Sequence, residues 1–476
     1  MTKKHEYFKI TKLARRYDKE KGKFTFNIAY ETANAKTPRA LKVAEAFGLG
    51  VDETKKFVLY DNIELKIAPT DIVYITGESG SGKSILLKAM KQDLGTEAID
   101  IADIHTDSEK PIIETVGKTF NQALELLSKV GLNDAFLFLR QYNQLSDGQK
   151  YRYRLAKLIE SGKQWWIMDE FCSTLDRDTA KIVAYNIQKL ARQNRKAVMA
   201  ATTHTDLFED LAPNVHIHKR FGKEISINYY PNASAKECSL TKEMQIKEGS
   251  ISDYQKLSSF HYRSNRCPAP RKIFTLKRGE ELCGVIIYSY PPPTTFGRNK
   301  KWKGTFQQLQ KEISTITRVI VHPKYRTIGL GTKLVRETLP LASTPYVETI
   351  AVMAKYNPFF ERAGMKKIME SKPNENVQKA LEKLQNLGFN PTLLGSQSYN
   401  KKKIMEVGKN EVIKILEELS RKGVLRKTLV PSKKAYLAHE EFFEKVKNLD
   451  EEGLAATLKR LSFIAQTKVY LFHANK

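Results

Sequence analysis

Cysteine is scarce in this chain: four residues in 476, at positions 172, 238, 267 and 283. No two are close enough to form a metal-binding pair, and four are too few for a disulfide framework at this length. A reducing, cytoplasmic setting is expected. Long apolar runs are missing too, since none approaches the roughly 20 residues a helix needs to span a bilayer. Met1-Thr2-Lys3-Lys4-His5 lacks the apolar core of a signal peptide. No membrane span is expected. The third shortage is acid: 53 Asp and Glu face 80 Lys and Arg, a formal charge of +27 at pH 7. That imbalance favours a polyanionic partner such as RNA or DNA. An anionic membrane surface, or a salty or hot cytoplasm, accounts for the same charge. Internal repeats and low-complexity tracts are absent. Against these shortages, 41% of residues are hydrophobic, over a length that accommodates about two to four domains.

The stretch Gly77-Glu78-Ser79-Gly80-Ser81-Gly82-Lys83-Ser84 lies between the apolar run Ile72-Val73-Tyr74-Ile75 and a helical segment from Ile85 to Met90. Strand, glycine-rich turn and helix in that order make a phosphate cradle. Small residues (Gly77, Ser79, Gly80, Gly82) let backbone N–H groups curl around phosphate oxygens, and the helix adds its positive end. Lys83 reaches the β- and γ-phosphates, and the Ser84 hydroxyl can ligate Mg2+. Upstream, Tyr7–Ile10 and Phe24–Tyr30 read as strands, and Lys42–Phe47 as a short helix. Phe57–Tyr60 and Ile63–Ile67 read as a hairpin pair. Phe47 and Phe57 are candidate rings for stacking on adenine.

Residues 84–144 read as mostly helical, including the amphipathic run Phe120–Leu127. Leu145-Ser146-Asp147-Gly148-Gln149 then precedes a helical stretch, Lys150–Glu160. The apolar strand Trp165-Trp166-Ile167-Met168 ends in two acids. Asp169 is placed to hold Mg2+, and Glu170 to polarise an attacking water. Ser173-Thr174-Leu175-Asp176 follows, and His204 stands after the apolar strand 197–201, placed to contact the γ-phosphate or hold Glu170. This order of motifs, over about residues 55–222, resembles the ATP-binding-cassette ATPases. The resemblance implies a head-to-tail homodimer, with ATP between the Lys83 loop of one subunit and Ser146, Gly148 and Gln149 of the other. The interval from Ser84 to Leu145 is too short for a long coiled-coil arm. The family's glutamine loop has no counterpart in Asp107–Glu114, which puts coupling to a transporter-type membrane partner in doubt.

A second fold starts near residue 250. Lys272–Leu276 and Leu282–Tyr290 read as antiparallel strands, stopped by Pro291-Pro292-Pro293. The strand ending at Val319-Ile320-Val321 feeds Arg326-Thr327-Ile328-Gly329-Leu330-Gly331-Thr332, another anion-binding turn before a helix. Arg-x-x-Gly-x-Gly after that strand resembles the pyrophosphate loop of the GNAT acetyltransferases. Asn357–Met365 resembles the family's late helix and turn, and the likeness covers about 252–370. It implies acetyl-CoA held by Arg326, Gly329, Gly331, Thr332 and Asn357, with strand amides near Val319 and Val321 polarising the thioester carbonyl. Tyr356 lies where family members often carry a tyrosine near the leaving thiol. Candidate bases are His261, Tyr262, Glu348 and Tyr356, and His261 serves equally as a nucleic-acid contact.

Between 261 and 304 there are ten Lys or Arg and two acids, interleaved with Phe274, Tyr288, Tyr290, Phe296 and Trp302. Rings among cations suit phosphate contact and base stacking. The same rings also fit a strand core with a solvated basic rim. The segment resembles the Mom-like GNAT branch, which alters the exocyclic nitrogen of adenine in DNA.

The fold class expected is α/β: an ABC-type P-loop ATPase domain with an N-terminal β extension (1–228), a linker (229–251), a GNAT α/β domain (252–370) and a mainly helical C-terminal region (371–476). The last is either a winged-helix-like module, with a helix, a glycine turn at Gly423 and a basic strand to Val430, or a helical cap. The function expected is an ATP-hydrolysing, acetyl-CoA-dependent N-acetyltransferase acting on a base amine of tRNA or DNA. The alternatives are an ATPase that remodels nucleic acid with a non-catalytic GNAT-like binding domain, and a protein or small-amine acetyltransferase regulated by ATP. Expected cofactors are ATP, Mg2+ and acetyl-CoA.

Overall fold

The computed structural model describes residues 8–32, 37–48, 56–261, 269–352, 354, 357–371, 374–421, 426–430 and 437–475. The chain divides into two compact units: Met1–Asn265 with Ile273–Val285 and Val319–Leu334, and Arg266–Lys272 with Ile286–Arg318 and Val335–Lys476.

In the first unit, β1 (Phe8–Asp18), β2 (Lys23–Thr32) and β3 (Lys56–Lys66) form an antiparallel sheet in sequence order. The pair of strands expected over 57–67 is one strand. Asn62 adopts a left-handed φ of 48° and takes a 2.8 Å hydrogen bond from Asn27, where the β2–β3 register shifts. The chain therefore bulges at this point instead of turning back.

A six-stranded sheet follows, from β4 (Ile72–Gly77), β5 (Ala98–Asp100), β6 (Trp165–Met168), β7 (Ala197–Thr202), β8 (Val215–Lys219) and β9 (Ile225–Tyr229). Their order is β5-β6-β7-β4-β8-β9, parallel except for β9. Strands β4, β6 and β7 are buried along their whole length, as a parallel sheet covered on both faces requires. The period of two divides their side chains. Trp165 and Ile167 join Val73, Ile75, Leu86, Met90 and Phe24 in one core, while Trp166 and Met168 join Tyr74, Leu155 and Val183 in another.

A seven-stranded sheet comprises β10 (Met244–Glu248), β11 (Pro270–Arg278), β12 (Glu281–Ser289), β13 (Ile313–Val321), β14 (Tyr346–Ala351), β15 (Lys366–Ser371) and β16 (Lys468–Ala474). Its order is β10-β11-β12-β13-β14-β16-β15. Within the first unit, Met244 to Glu248 pair antiparallel with Arg278 to Phe274, so the segment read as a linker contains an edge strand. Within the second unit, β13 and β14 pair in parallel from Ile313–Tyr346 to Thr315–Glu348, and β16 inserts antiparallel between β14 and β15. The apolar run Val469-Tyr470-Leu471-Phe472 thus returns from the C-terminal helical region to the sheet. That region packs the helices Glu375–Asn386, Gln397–Val407, Lys409–Arg421, His439–Lys447 and Glu451–Ile464 around Val377, Leu384, Ile404, Leu416, Phe442 and Leu458. The expected basic strand is not found among the described residues. Residues 422–425 lie outside them, and Arg426–Leu429 is a helical turn whose buried Arg426 donates to the carbonyls of Ser420 and Leu437.

Glu348, considered above as a base, is instead a structural anchor of the second unit. Its carboxylate is wholly buried and accepts from Arg298 Nε (3.0 Å), Arg298 Nη2 (2.6 Å), Tyr470 Oη (2.9 Å) and Thr315 Oγ1 (3.0 Å). With Thr295 Oγ1 at 3.4 Å as a fifth donor, its lone pairs are saturated, and no acceptor capacity remains for a substrate proton. Breaking a buried pair from one side strands the other charge. Arg298→Ala is therefore expected to destabilise the protein by about 3–5 kcal/mol. Chemical denaturation of the full chain measures this, and an unchanged midpoint would refute the anchoring role.

Candidate nucleotide and acyl-carrier sites

Parallel β4, β6 and β7 end on the same edge, so the turns after them converge. They carry the phosphate loop, Asp169-Glu170 and His204 respectively. Gly77 is obligatory where it stands. With φ at 145°, a Cβ there would lie 1.9 Å from the Lys219 carbonyl oxygen. Gly80 (φ 78°) and Gly82 (φ 103°) are also left-handed, and Gly82 caps the helix Lys83–Leu94. Lys83 folds back into the loop, its Nζ donating to the carbonyls of Gly77 (2.8 Å) and Glu78 (2.6 Å). Burial lowers its pKa, against the opposing pull of Asp169 and Glu78. The Ser81 hydroxyl is buried without a hydrogen-bond partner. An orphaned donor and a desolvated cation inside a left-handed loop fit a phosphate. Ser79 and Ser84 are exposed.

Asp169 is half-buried and accepts from the backbone N–H of Glu170 at 3.0 Å. Glu170 is exposed with φ at 50°, which turns it out of the strand. His204 is half-buried, with its N–H on Thr202 Oγ1 at 3.3 Å. Ser146, Gly148 and Gln149 stand at the head of another element, the helix Asp147–Glu160. There Ser146 is the N-cap and its N–H donates to Gln149 Oε1 at 3.1 Å.

Two features were not found from sequence. The Glu109–Pro111 segment, which lacks the usual glutamine, is met by Gln141 from a distant loop, whose Nε2 donates to the Glu109 carbonyl at 2.8 Å. Phe221, exposed between β8 and β9, sits beside the phosphate loop, 3.8 Å from where a Cβ on Gly80 would lie. Of the two rings proposed for adenine, Phe47 is 77% exposed and Phe57 is half-buried. An aromatic flanked by Arg220 and Gly222 at a hairpin tip was the available signal for Phe221.

The second cradle follows β13. The His322 N–H bonds the Cys283 carbonyl at 2.9 Å, and Pro323–Tyr325 turns the chain. Thr327 (φ 80°) and Gly329 (φ 86°) are left-handed, with open space around Gly329. The helix Leu330–Thr338 then begins, with Gly331 and Thr332 in its first turn. This backbone fits an anion held by N–H groups. The Arg326 side chain, however, donates to the Val321 carbonyl (3.1 Å) and, from Nη1, to the Asn133 carbonyl (2.9 Å). Val319 and Val321 are half-buried and flank the buried Ile320. His261 follows the turn Ser258–Phe260 and is half-buried. Asn357 is exposed. Tyr262 and Tyr356 lie outside the described residues.

The two cradles are joined through one helix, Arg177–Gln193, whose N-cap is Asp176. Arg177 Nε donates to Asp206, two residues beyond His204, at 3.0 Å. Asp178 pairs with Arg278 at 2.9 Å and Lys324 at 2.6 Å. Further along, Asn186 Nδ2 donates to Thr327 Oγ1 at 2.7 Å.

Comparison with known proteins agrees with these geometries. Residues 60–173 match the family model described as ABC transporter, and residues 240–365 the one described as Acetyltransferase (GNAT) family. The chain is similar to the cytochrome c biogenesis ATP-binding export protein CcmA of Gluconobacter oxydans (strain 621H). That match is 30% identical over 168 residues, 32% of this chain and 76% of the relative. It is also similar to the methionine import ATP-binding protein MetN 1 of Oceanobacillus iheyensis, at 24% identity over 33% of this chain and 57% of the relative. A third relative is the ribosome protection protein VmlR of Bacillus subtilis (strain 168), at 27% identity over 34% of this chain and 28% of the relative. Among the described residues, no helix is long and apolar enough to cross a membrane.

Glu170→Gln keeps the shape of the exposed side chain and removes its basicity. Phosphate release is expected to fall about 10²- to 10⁴-fold with nucleotide affinity retained. Parallel hydrolysis and binding assays check this.

Proposed function

We propose, for a chain that belongs to the ABC-type ATPase family and carries a GNAT acetyltransferase domain, an ATP-gated N-acetyltransferase whose acceptor is a base amine of nucleic acid, tRNA or DNA. The observation that carries the gating is the helix Arg177–Gln193. Its first turn grips Asp206 near His204 through Arg177, and the loop before the Leu330–Thr338 helix through Asp178. A nucleotide that moves the segment from Asp169 to Asp176 moves the base of the acyl-carrier loop with it.

In this reading the loop from Gly77 to Ser84 holds the triphosphate, with Lys83 turning from the carbonyls of Gly77 and Glu78 towards it. Ser84 and Asp169 offer hard oxygen donors and would hold Mg2+, which supplies charge neutralisation on the phosphates. Glu170 takes the proton of the attacking water, and His204 steadies that arrangement. Ser146, Gly148 and Gln149 of a second copy complete the site, because the exposed head of the Asp147–Glu160 helix is an anion-ready N-terminus. The backbone from Thr327 to Thr332 receives the diphosphate of acetyl-CoA, and the amides around Val319 and Val321 polarise the acyl carbonyl. The amine forms its bond to the acyl carbon as the bond to sulfur breaks, and the amine's proton passes to a base. His261 is a candidate for that base, and Tyr356 for protonating the departing thiolate. The formal charge of +27 supports a nucleic-acid acceptor.

One observation favours a second reading, in which the GNAT-like fold only binds and the ATPase remodels nucleic acid: the Arg326 guanidinium is committed to backbone carbonyls. Binding of labelled acetyl-CoA separates the two, since the second reading gives none.

Transfer of labelled acetyl groups to purified tRNA and DNA, with and without ATP, tests the proposal. ATP is expected to stimulate transfer, and Asp178→Asn to reduce that stimulation at least about fivefold while ATP binding persists. Equal transfer with and without nucleotide would refute the gating. Transfer to polyamines or protein with none to nucleic acid would refute the acceptor.

A further inference from the structure

The second unit sorts the aromatic residues of the basic segment into two groups. Tyr288 is buried, donating or accepting at 2.7 Å with Thr338 Oγ1. Tyr290, two residues on and therefore on the same face by the period of the strand, is half exposed because β12 ends at Ser289, just before it. The guanidinium of Arg271 lies over the Tyr290 ring, 4.5 Å from its centroid. Arg271 does not swing freely. Its Nη1 donates to Ser314 Oγ at 3.3 Å, and its Nη2 to the Gln310 carbonyl. Gln310 in turn donates to the Pro291 carbonyl at 3.1 Å. One helical turn back, on the same face as Gln310, Phe306 is 58% exposed.

The stretch of chain that carries these rings is cationic. From 286 to 318 the sequence has Arg298, Lys300, Lys301, Lys303, Lys311 and Arg318 against a single acid, Glu312. Glu312 is occupied by Trp302 Nε1 at 2.8 Å. Arg298 is buried on Glu348 and donates to the carbonyls of Pro292 (2.9 Å) and Pro293 (3.1 Å). It therefore holds the loop without touching a ligand. Lys300, Lys301 and Lys303 are exposed, and none has an ion-pair partner among the described residues. The proline run and the buried Arg298 hold a loop whose three lysines are exposed and have no ion pair among the described residues.

We infer that Tyr290, backed by Arg271, and Phe306 form a stacking platform for unpaired bases, with Lys300, Lys301 and Lys303 neutralising the backbone of the same strand. This rests on the nucleic-acid acceptor proposed above and names its form: a single-stranded segment, such as a loop, rather than continuous duplex. Bases in a duplex already stack on each other and offer no face to a ring, whereas unpaired bases do. An acidic protein would satisfy the lysines but leave the rings unused.

The test uses the full chain without acetyl-CoA and a labelled mixed-sequence single-stranded oligonucleotide, the duplex of the same length, and polyglutamate as competitor. The single strand is expected to bind more tightly than the duplex. Tyr290→Ala should weaken single-strand binding about 5- to 100-fold and duplex binding less than about twofold, with Tyr290→Phe retaining affinity. The triple change Lys300→Glu, Lys301→Glu and Lys303→Glu should flatten the slope of log affinity against log salt by about two. Tyr290 is half exposed, so both tyrosine variants should keep the wild-type unfolding midpoint. Equal effects of Tyr290→Ala on both nucleic acids, no effect on either, or competition by polyglutamate as strong as by single strand would overturn the platform. A wild-type chain that binds no nucleic acid would remove the acceptor reading itself. A chain that binds but ignores Tyr290→Ala removes only the platform.

Discussion

A carboxylate at the second position of one helix, Asp178, holds together the parts of the first unit that carry chemistry. Its side chain is only 18% exposed, and an isolated buried charge there would be costly. Burial pushes its pKa up, but hydrogen bonds and charge from Arg278 and Lys324 outweigh this and hold it below the ordinary carboxylate value. The two cations need it as well: Arg278 is shared with Glu243 at 2.9 Å, and Lys324 reaches Glu281 at 3.8 Å. A carboxylate depressed in this way contributes its stabilisation above the ordinary carboxylate pKa, and that contribution is lost as the pH falls through the lowered value. Around neutrality the link is fully formed. Its worth lies less in energy than in position, because the same helix turn begins at the Asp176 cap and holds Asp206 through Arg177.

The segment between β6 and that helix carries the backbone strain that makes such a link informative. Glu170 and Cys172 both have positive φ, at 50° and 59°. Non-glycine residues in this region each cost about 1–3 kcal/mol and persist only where neighbours hold them. Here the intervening Phe171 N–H bonds the Ala201 carbonyl at 2.7 Å, and the Cys172 N–H bonds Tyr151 Oη at 3.1 Å. The turn is thus held to β7 on one side and to the Asp147–Glu160 helix on the other. A change at either holder is felt at Glu170 and, six residues on from it, at the Asp176 cap. The same helix contacts the loop before Leu330 through Asp178 with Lys324 and Asn186 with Thr327.

Much of this was readable in the sequence because it is local. The phosphate loop, the acids after Met168, and the Arg-x-x-Gly-x-Gly turn are each one strand, one turn and one helix start, and local residue chemistry determines them. What escaped depends on partners far apart in the chain. Residues 468–474 carry an apolar run that no local rule assigns to a sheet 97 residues upstream, where Lys468 meets Ser371. Likewise Gln141 sits 32 residues from Glu109, and Asn62 turns two expected strands into one through Asn27. Glu348 stood among the candidate bases because transfer to an amine needs a group that takes its proton. Only its partners, Arg298 from a loop and Tyr470 from near the end of the chain, make it structural.

Arg298 and Lys300 mark the limit of reasoning from charge counts. They are two residues apart, in a segment whose composition alone reads as a uniform basic stretch. One is buried in a two-pronged pair and holds its loop, while the other is exposed and has no ion pair among the described residues. Arginine suits the first role because its planar fork matches a carboxylate and is weakly hydrated, whereas a lysine ammonium is strongly hydrated and stays at the surface. The same division separates Tyr288 from Tyr290. In each case the buried member is held by its partners while the member two residues away stands at the surface, and that relation, rather than the net charge, distinguishes the residues of the basic segment.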